Sequence, residues 1–174
     1  KQAINDLPSV PAGEDIKSYK GKHPTNDYQK LMRNKLGGIS CHFSPIYGDK
    51  IQTVINNVIQ GEGKNYINQL VDEGKIPEEY RLTSGYNNTY GRLIENQPST
   101  TITNNMSTPS GLRCIHYKEN RALTPREGAR IQSFPDWFEF VGTKKDITTQ
   151  IGNAVPPLLA MKIATQIEKV LSEV

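Results

Sequence analysis

The side chains in this sequence that could do chemistry are few: two cysteines, three histidines and a close group of arginines with a glutamate. Cys41 stands in Ser-Cys-His and Cys114 in Arg-Cys-Ile. A thiolate beside an imidazole can act as a nucleophile, but adjacent residues seldom face one another, so Cys41-His42 is a poor nucleophile–base pair. Neither cysteine has a second at metal spacing, and His23, His42 and His116 are scattered, so no metal site is expected. No Gly-rich phosphate loop or dinucleotide fingerprint is present. The residues alone therefore offer no catalytic centre. What they offer is recognition chemistry. Residues 83–90 and 104–111 are polar loops rich in Asn, Ser, Thr and Gly, which tolerate turns and expose hydrogen-bonding groups. Lys17, Lys20, Lys22, Lys30, Arg33 and Lys35 are opposed by Asp27 alone. Such a patch draws in phosphates, and equally well serves as a solvated face. Arg126, Glu127 and Arg130 look like acid–base machinery, yet Glu127 follows Thr124 at capping-box spacing and reads as structural.

These residues need elements to hold them. Residues 1–25, rich in Pro, Gly and Lys, read as an extended connector. Asp27 can cap a short helix with Tyr28, Leu31, Met32 and Leu36 on one face, stopped at Gly37-Gly38. Ile51, Val54, Ile55, Val58 and Ile59 fall on one helical stripe, with Asp49 as cap and Gly61 as stop. A third helix is expected over residues 65–72, ending near Gly74. Residues 98–103 (Pro-Ser-Thr-Thr-Ile-Thr) are β-branched and predict a strand, with a second over 113–117. Thr124, Pro125 and Glu127 give a helix start that must end near Ser133, ahead of Phe134-Pro135. A last helix begins at Pro156-Pro157 and carries a stripe of Leu159, Ile163, Ile167 and Val170, with Leu171 beside it. That stripe needs a partner surface, and little chain follows it.

Length and composition agree with a mixed globular chain. Its 174 residues suit about one domain of ~100–200 residues. Hydrophobic residues make up 35%, too many for disorder at a net charge of +3. The charge is uneven: residues 1–60 hold 8 basic and 5 acidic side chains, and the remainder balances. No apolar run approaches the ~18 residues of a membrane span, and no signal peptide is visible, so a cytoplasmic protein is expected. The first residue is Lys rather than Met, which suggests a piece of something longer.

Two longer motifs say more. The run Arg121-Ala-Leu-Thr-Pro-Arg-Glu-Gly-Ala-Arg-Ile-Gln-Ser-Phe-Pro-Asp136 resembles the ninth conserved motif of DNA cytosine-5 methyltransferases. Gln150-Ile-Gly-Asn-Ala-Val-Pro-Pro157, with its trailing helix, resembles the tenth, in matching order and separation. Tyr90-Gly-Arg-Leu93 followed by residues 98–103 resembles the DNA-facing segment of that family's target recognition domain. Ala3-Ile-Asn-Asp-Leu-Pro8 resembles the connector after its eighth motif. The resemblance covers essentially the whole chain, strongly from Tyr90 onward and weakly over residues 13–79. The family's Pro-Cys nucleophile, Gly-rich cofactor loop, Glu-Asn-Val motif and Gln-x-Arg-x-Arg motif do not occur here.

The resemblance implies the C-terminal part of such an enzyme. The fold class implied is an α+β fragment: a small β-containing recognition domain plus a C-terminal helix belonging to a Rossmann-like α/β methyltransferase domain. The implied division is a connector over 1–14, the recognition domain over 15–120, a ninth-motif helix and hinge over 121–145, and the tenth motif with its helix over 146–174. The parent reaction moves a methyl group from S-adenosylmethionine to C5 of a flipped cytosine, in a bacterial restriction-modification setting. By resemblance Arg92 reads a base, since its guanidinium can donate twice to guanine O6 and N7. Thr103 would hold a phosphate near the flipped nucleotide or pack on its neighbour as a strand threonine, and Asn104 or Asn105 would read an adenine edge or make the turn. Asn153, Ala154 and Val155 would line the cofactor pocket, at what the sequence suggests is the start of the last helix. Arg121, Thr124, Arg126, Glu127, Arg130 and Gln132 would be structural, tying the recognition domain to the catalytic one. No catalytic residue is expected in this chain, which alone should be inactive. The implied partners are double-stranded DNA and an N-terminal catalytic portion, in cis or in trans, with self-association of the isolated chain through its last helix and no membrane. Two other readings stay open: a natural small subunit of a split methyltransferase, and a DNA-binding remnant without catalysis.

Overall fold

The computed structural model describes residues 1–33 and 37–173. Lys35 of the basic patch and Leu36 of the expected first helix lie outside the described residues. Helix α1 covers Asp27–Met32, and its cap is Asn26 rather than Asp27: the Asn26 side chain accepts from the Gln29 amide. Asp27 instead sits in the first turn, where negative charge suits the helix dipole. Helix α2 covers Asp49–Asn57 and is capped by Gly48, so the expected Asp49 is its first residue and the helix ends at Val58, before Gly61. Helix α3 covers Lys64–Asp72, and Gly74 follows at φ +67. A short 3-10 turn, Glu78–Tyr80, comes next.

The expected strands do not form: among the described residues pairing is confined to isolated bridges. Ile115 is bridged on both sides, to Arg92 and to Ala122. Its amide donates to the Gly91 carbonyl at 3.0 Å, and its carbonyl accepts from Leu93 at 2.9 Å. Residues 113–117 thus thread between two neighbours at single points, too briefly for a ladder. Residues 98–103 carry β-branched side chains, but a strand needs a neighbouring backbone as well as propensity. The contact across to 113 is a side-chain one, the Thr100 hydroxyl to the Arg113 carbonyl.

Helix α4, Pro125–Ile131, starts as the sequence reads, with Thr124 and Glu127 completing a reciprocal capping box. An unexpected helix α5, Lys144–Asn153, follows with its own capping box between Thr143 and Asp146. Helix α6, Pro157–Ser172, closes the chain, and none of its residues is buried.

Two apolar clusters organise these pieces. One joins Val54, Ile55 and Val58 of α2 to Ile67, Leu70 and Val71 of α3, closing on Ile115. The other gathers Ile4, Leu7 and Val10 with Ile39, Ile102, Met106, Ala129, Phe134, Ile147 and Ile151. The N-terminal stretch is therefore not a loose connector. It is pinned because Ile4, Leu7 and Val10 remove apolar surface from water against α4 and α5. This cluster also crosses residues 14/15 and 120/121, where the sequence suggested domain limits.

Candidate functional site

The ninth-motif run builds a buried polar network around α4. Arg121 sends Nη1 and Nη2 to the two Glu127 carboxylate oxygens at 2.8 and 2.7 Å. Glu127 also accepts from the Thr124 amide at 2.8 Å, so one carboxylate serves as cap and counter-ion together. Arg126 spreads its guanidinium over the Ser40 carbonyl and hydroxyl and the carbonyls of Pro135 and Phe138. Arg130 is held between two carboxylates, Asp136 at 2.6 Å and Asp6 at 3.0 Å, and both acids are buried. Tyr19 adds a hydroxyl bond to Asp136 at 2.5 Å. Gln132 donates to the Ile151 carbonyl at 2.7 Å, joining the end of α4 to α5. The sequence missed Asp6 and Asp136 as partners, although an acid inside Ile4-Asn-Asp-Leu7 and after Phe134-Pro is a visible signal.

Two neutral histidines complete the network. His42 donates from Nε2 to the Pro8 carbonyl and accepts at Nδ1 from the Thr124 hydroxyl, each at 2.9 Å. His116 accepts two amides at Nδ1 and turns Nε2 toward Glu127 at 3.8 Å. Burial pushes both imidazoles below their ordinary value of 6.5. Burial opposes ionisation of Glu127 as well, but the Arg121 charge and hydrogen bonds carry it well below 4.5. A depressed native value means the unfolded chain takes up protons first, so each group stabilises the fold above its ordinary pKa and loses that stability on acidification. Thermal melts from pH 8 to pH 4 should fall once the histidine range near 6.5 is crossed, and steepen below 4.5. A flat melting temperature between pH 8 and pH 5 would show that the two histidines do not control stability.

Arg92 does not stand where a base reader must. It is 5% exposed, and its five N–H donors are all committed inside the protein. Nε donates to the Val58 carbonyl; Nη1 donates to His116 and Glu119; Nη2 donates to Ile55 and to Asn120 Oδ1. All five bonds are 2.7–3.0 Å. The end of α2 leaves carbonyls without helical partners, and Arg92 fills that need. The basic patch is likewise thinned. Lys17 pairs with Asp15 and Lys30 with Asp27, while the Arg33 guanidinium lies 3.8 Å over the Tyr19 ring. Lys20 and Lys22 remain exposed without an ion pair among the described residues.

The remaining predicted site residues come together. Ile102 and Met106 are buried, at 9% and 3%, and between them Asn104 and Asn105 project outward, with Thr103 half-buried. This arch rests on the backbone of α5: a Cβ placed on Gly152 would meet the Asn104 amide nitrogen at 2.2 Å and the Thr103 carbonyl carbon at 2.5 Å. Gly128 of α4 faces Met106 in the same way, its Cβ falling 2.0 Å from the Met106 sulfur. Immediately after Gly152 come exposed Asn153, half-buried Ala154 and exposed Val155. Asn153 is the last residue of α5 and Ala154 its C-cap, so neither lies at the start of α6. No helix N-terminus therefore presents its amides to an anion at Asn153 and Ala154, and α6 starts from Pro156 without a side-chain cap. What the turn does offer is an exposed amide side chain, Asn153, next to exposed Val155.

A cleft of about 640 Å³ is lined by Tyr28, Leu93, Asn96, Pro98, Ser99 and Tyr117 among others. Sequence reading overlooked it, since its lining comes from segments far apart in the chain. Beyond the turn, α6 exposes Leu159, Met161, Ile163, Ile167, Val170 and Leu171, each half or more open. No helix among the described residues is long and apolar enough to cross a membrane.

Comparison with known proteins follows the same residues. The family profile described as C-5 cytosine-specific DNA methylase matches residues 2–169. Type II methyltransferase M1.HphI of Haemophilus parahaemolyticus is 36% identical over 146 residues, which cover 78% of this chain and 37% of that protein. Type II methyltransferase M.AquIB of a Picosynechococcus strain is 41% identical over 121 residues, covering 62% of this chain and 81% of that protein. A solved structure assigned as a DNA modification methyltransferase encoded within an E. coli prophage aligns over 98% of this chain and 46% of its own. Its TM-score is 0.56 at 25% identity. The chain spans little more than a third of M1.HphI, and its match to M.NgoFVII of Neisseria gonorrhoeae covers 29% of that relative.

Proposed function

The chain belongs to the C-5 cytosine-specific DNA methylase family, and from that premise we propose that it is the target-recognition and cofactor-wall portion of a DNA (cytosine-5-)-methyltransferase of a bacterial restriction-modification system. The observation that carries this reading is the arch at residues 103–105, packed on Gly152 beside the turn at 153–155. One exposed polar tip and one mixed polar and apolar turn sit at a single junction. A flipped-base enzyme needs DNA and cofactor brought that close. Asn104 and Asn105 present amides to DNA, and Thr103 offers its hydroxyl near the backbone. Asn153 and Val155 form one wall for S-adenosylmethionine, which supplies the methyl group when bound. Residues 15–120 recognise the target, 1–14 and 121–145 join it to the catalytic side, and 146–173 belong to that side. The apolar face of α6 then packs against the catalytic portion. Each leucine or isoleucine buried there contributes ~1.5–3 kcal/mol, and the isolated chain self-associates through the same face.

The nucleophile comes from elsewhere, because both cysteines are buried and neither follows a proline. Cys114 is buried and its thiol is pushed up to about 12, first by burial. The catalytic portion acts in cis or in trans. The trans arrangement draws support from M.AquIB, a relative short enough that the match takes in 81% of it.

The test starts from the coding DNA upstream of Lys1 and from adjacent reading frames. A polypeptide there with a Pro-Cys motif and a Gly-rich cofactor loop is combined with this chain. Transfer of a labelled methyl group from S-adenosylmethionine to cytosine C5 in duplex DNA is then measured. Transfer is expected from the combination and from neither part alone. In the assembled enzyme Asn153→Ala should raise the Kd for S-adenosylmethionine roughly tenfold, the equivalent of about 1.4 kcal/mol, with DNA binding alone unchanged. A folded pair without methyl transfer, beside salt-dependent DNA binding by this chain alone, would favour the non-catalytic remnant.

A further inference from the structure

Resting on that reading, we propose that Gly152 is a positioning residue that couples cofactor binding to DNA binding, by letting the DNA-facing arch sit directly on the cofactor turn. Any side chain at 152 would collide with main-chain atoms of Thr103 and Asn104, and three of those atoms lie within 2.7 Å of where its Cβ would be. Backbone cannot rotate aside as a side-chain tip can, so only glycine permits this approach. The arch is also clamped at both ends. Ile102 and Met106 are buried in the cluster that holds Ile147 and Ile151 of α5. The Met106 amide donates back to the Thr103 carbonyl at 3.1 Å, closing the turn.

The cofactor side is fixed to the same base. The Ala154 amide donates to the Ile151 carbonyl at 3.3 Å, and Gln132 donates to that carbonyl from α4. Residues 103–106 and 151–155 thus share one support, with Gly152 as the point of main-chain contact. A ligand that fixes the turn lowers the ordering cost of the arch, and DNA on the arch lowers that of the turn. Coupling of this kind is reciprocal.

Gly152→Ala moves the main chain of the arch. The measurement uses the assembled methyltransferase. The Kd for duplex DNA is determined with and without saturating S-adenosylhomocysteine, and cofactor-analogue affinity is determined with and without DNA. In the native enzyme each ligand should tighten the other by about fivefold or more. Gly152→Ala should bring that ratio to near one. A ratio unaltered by Gly152→Ala would overturn the proposal. Should Gly152→Ala fail to fold, amide exchange on the native enzyme decides the matter. Without DNA, S-adenosylhomocysteine should slow exchange at residues 103–106 as well as at 151–155. Binding of the analogue with no change at 103–106 would overturn the coupling alone. Failure of the analogue to bind at all would overturn the cofactor reading and the coupling with it.

Discussion

Arg130→Ala should cost this fold about 3–5 kcal/mol, the range for breaking one side of a buried ion pair. The guanidinium bonds Asp136 through Nε and Nη2 at 2.6 Å, Asp6 through Nη1 at 3.0 Å, and the Ala3 carbonyl at 3.0 Å. Removing it leaves two carboxylates with 0% side-chain exposure facing one another. Arg33, 3.4 Å from Asp6, is too far for a good hydrogen bond and cannot replace both contacts. Against a total stability of ~5–15 kcal/mol, such a loss takes much of the margin. Arg130→Lys should recover little, because one ammonium cannot span both acids as the planar fork does. Urea unfolding of the two variants checks this. Restoration by Asp6→Asn with Asp136→Asn on the Arg130→Ala background would identify the unpaired charges as the cause. A loss below 1 kcal/mol for Arg130→Ala would mean that the acids find water or protons without strain.

The second large effect concerns Arg92, where function and architecture predict opposite results. A base-reading arginine, once removed, leaves the fold untouched and relaxes sequence preference. Here the side chain serves five internal acceptors, from the end of α2 at Ile55 and Val58 to residues 116–120. Each buried acceptor left without a partner costs ~1–3 kcal/mol, and water entering the gap recovers part of that. Arg92→Ala should therefore lower stability by about 3 kcal/mol or more. Any loss of DNA binding should follow the unfolded fraction, with sequence preference retained at low temperature. Denaturant melts and DNA competition on the same preparation separate the outcomes. An unchanged melt with relaxed preference would return Arg92 to the DNA surface.

The sequence alone determined whatever depends on near neighbours in the chain. The capping box at Thr124 and Glu127 forms as read, because its partners are three residues apart and need no third party. The apolar stripe of α6 is open to solvent, as expected from a helix whose partner surface is not in view. The family, too, was readable from two contiguous runs, around Arg121 and Gln150. Tertiary structure decided whatever depends on who meets whom. Residues 98–103 have strand propensity but lack a neighbouring backbone to pair with, and propensity cannot supply one. Asn153 moved from the start of one helix to the end of another because Thr143 and Asp146 cap a helix that ends there. Arg92 became structural because α2 ends beside it with carbonyls to fill, a meeting across 34 residues or more of chain. Gly128 lies in a helix the sequence predicts and Gly152 in one it does not, and neither run marks what packs against it. Only the fold lays one loop across both, because main-chain contact between distant segments leaves no mark in either segment alone.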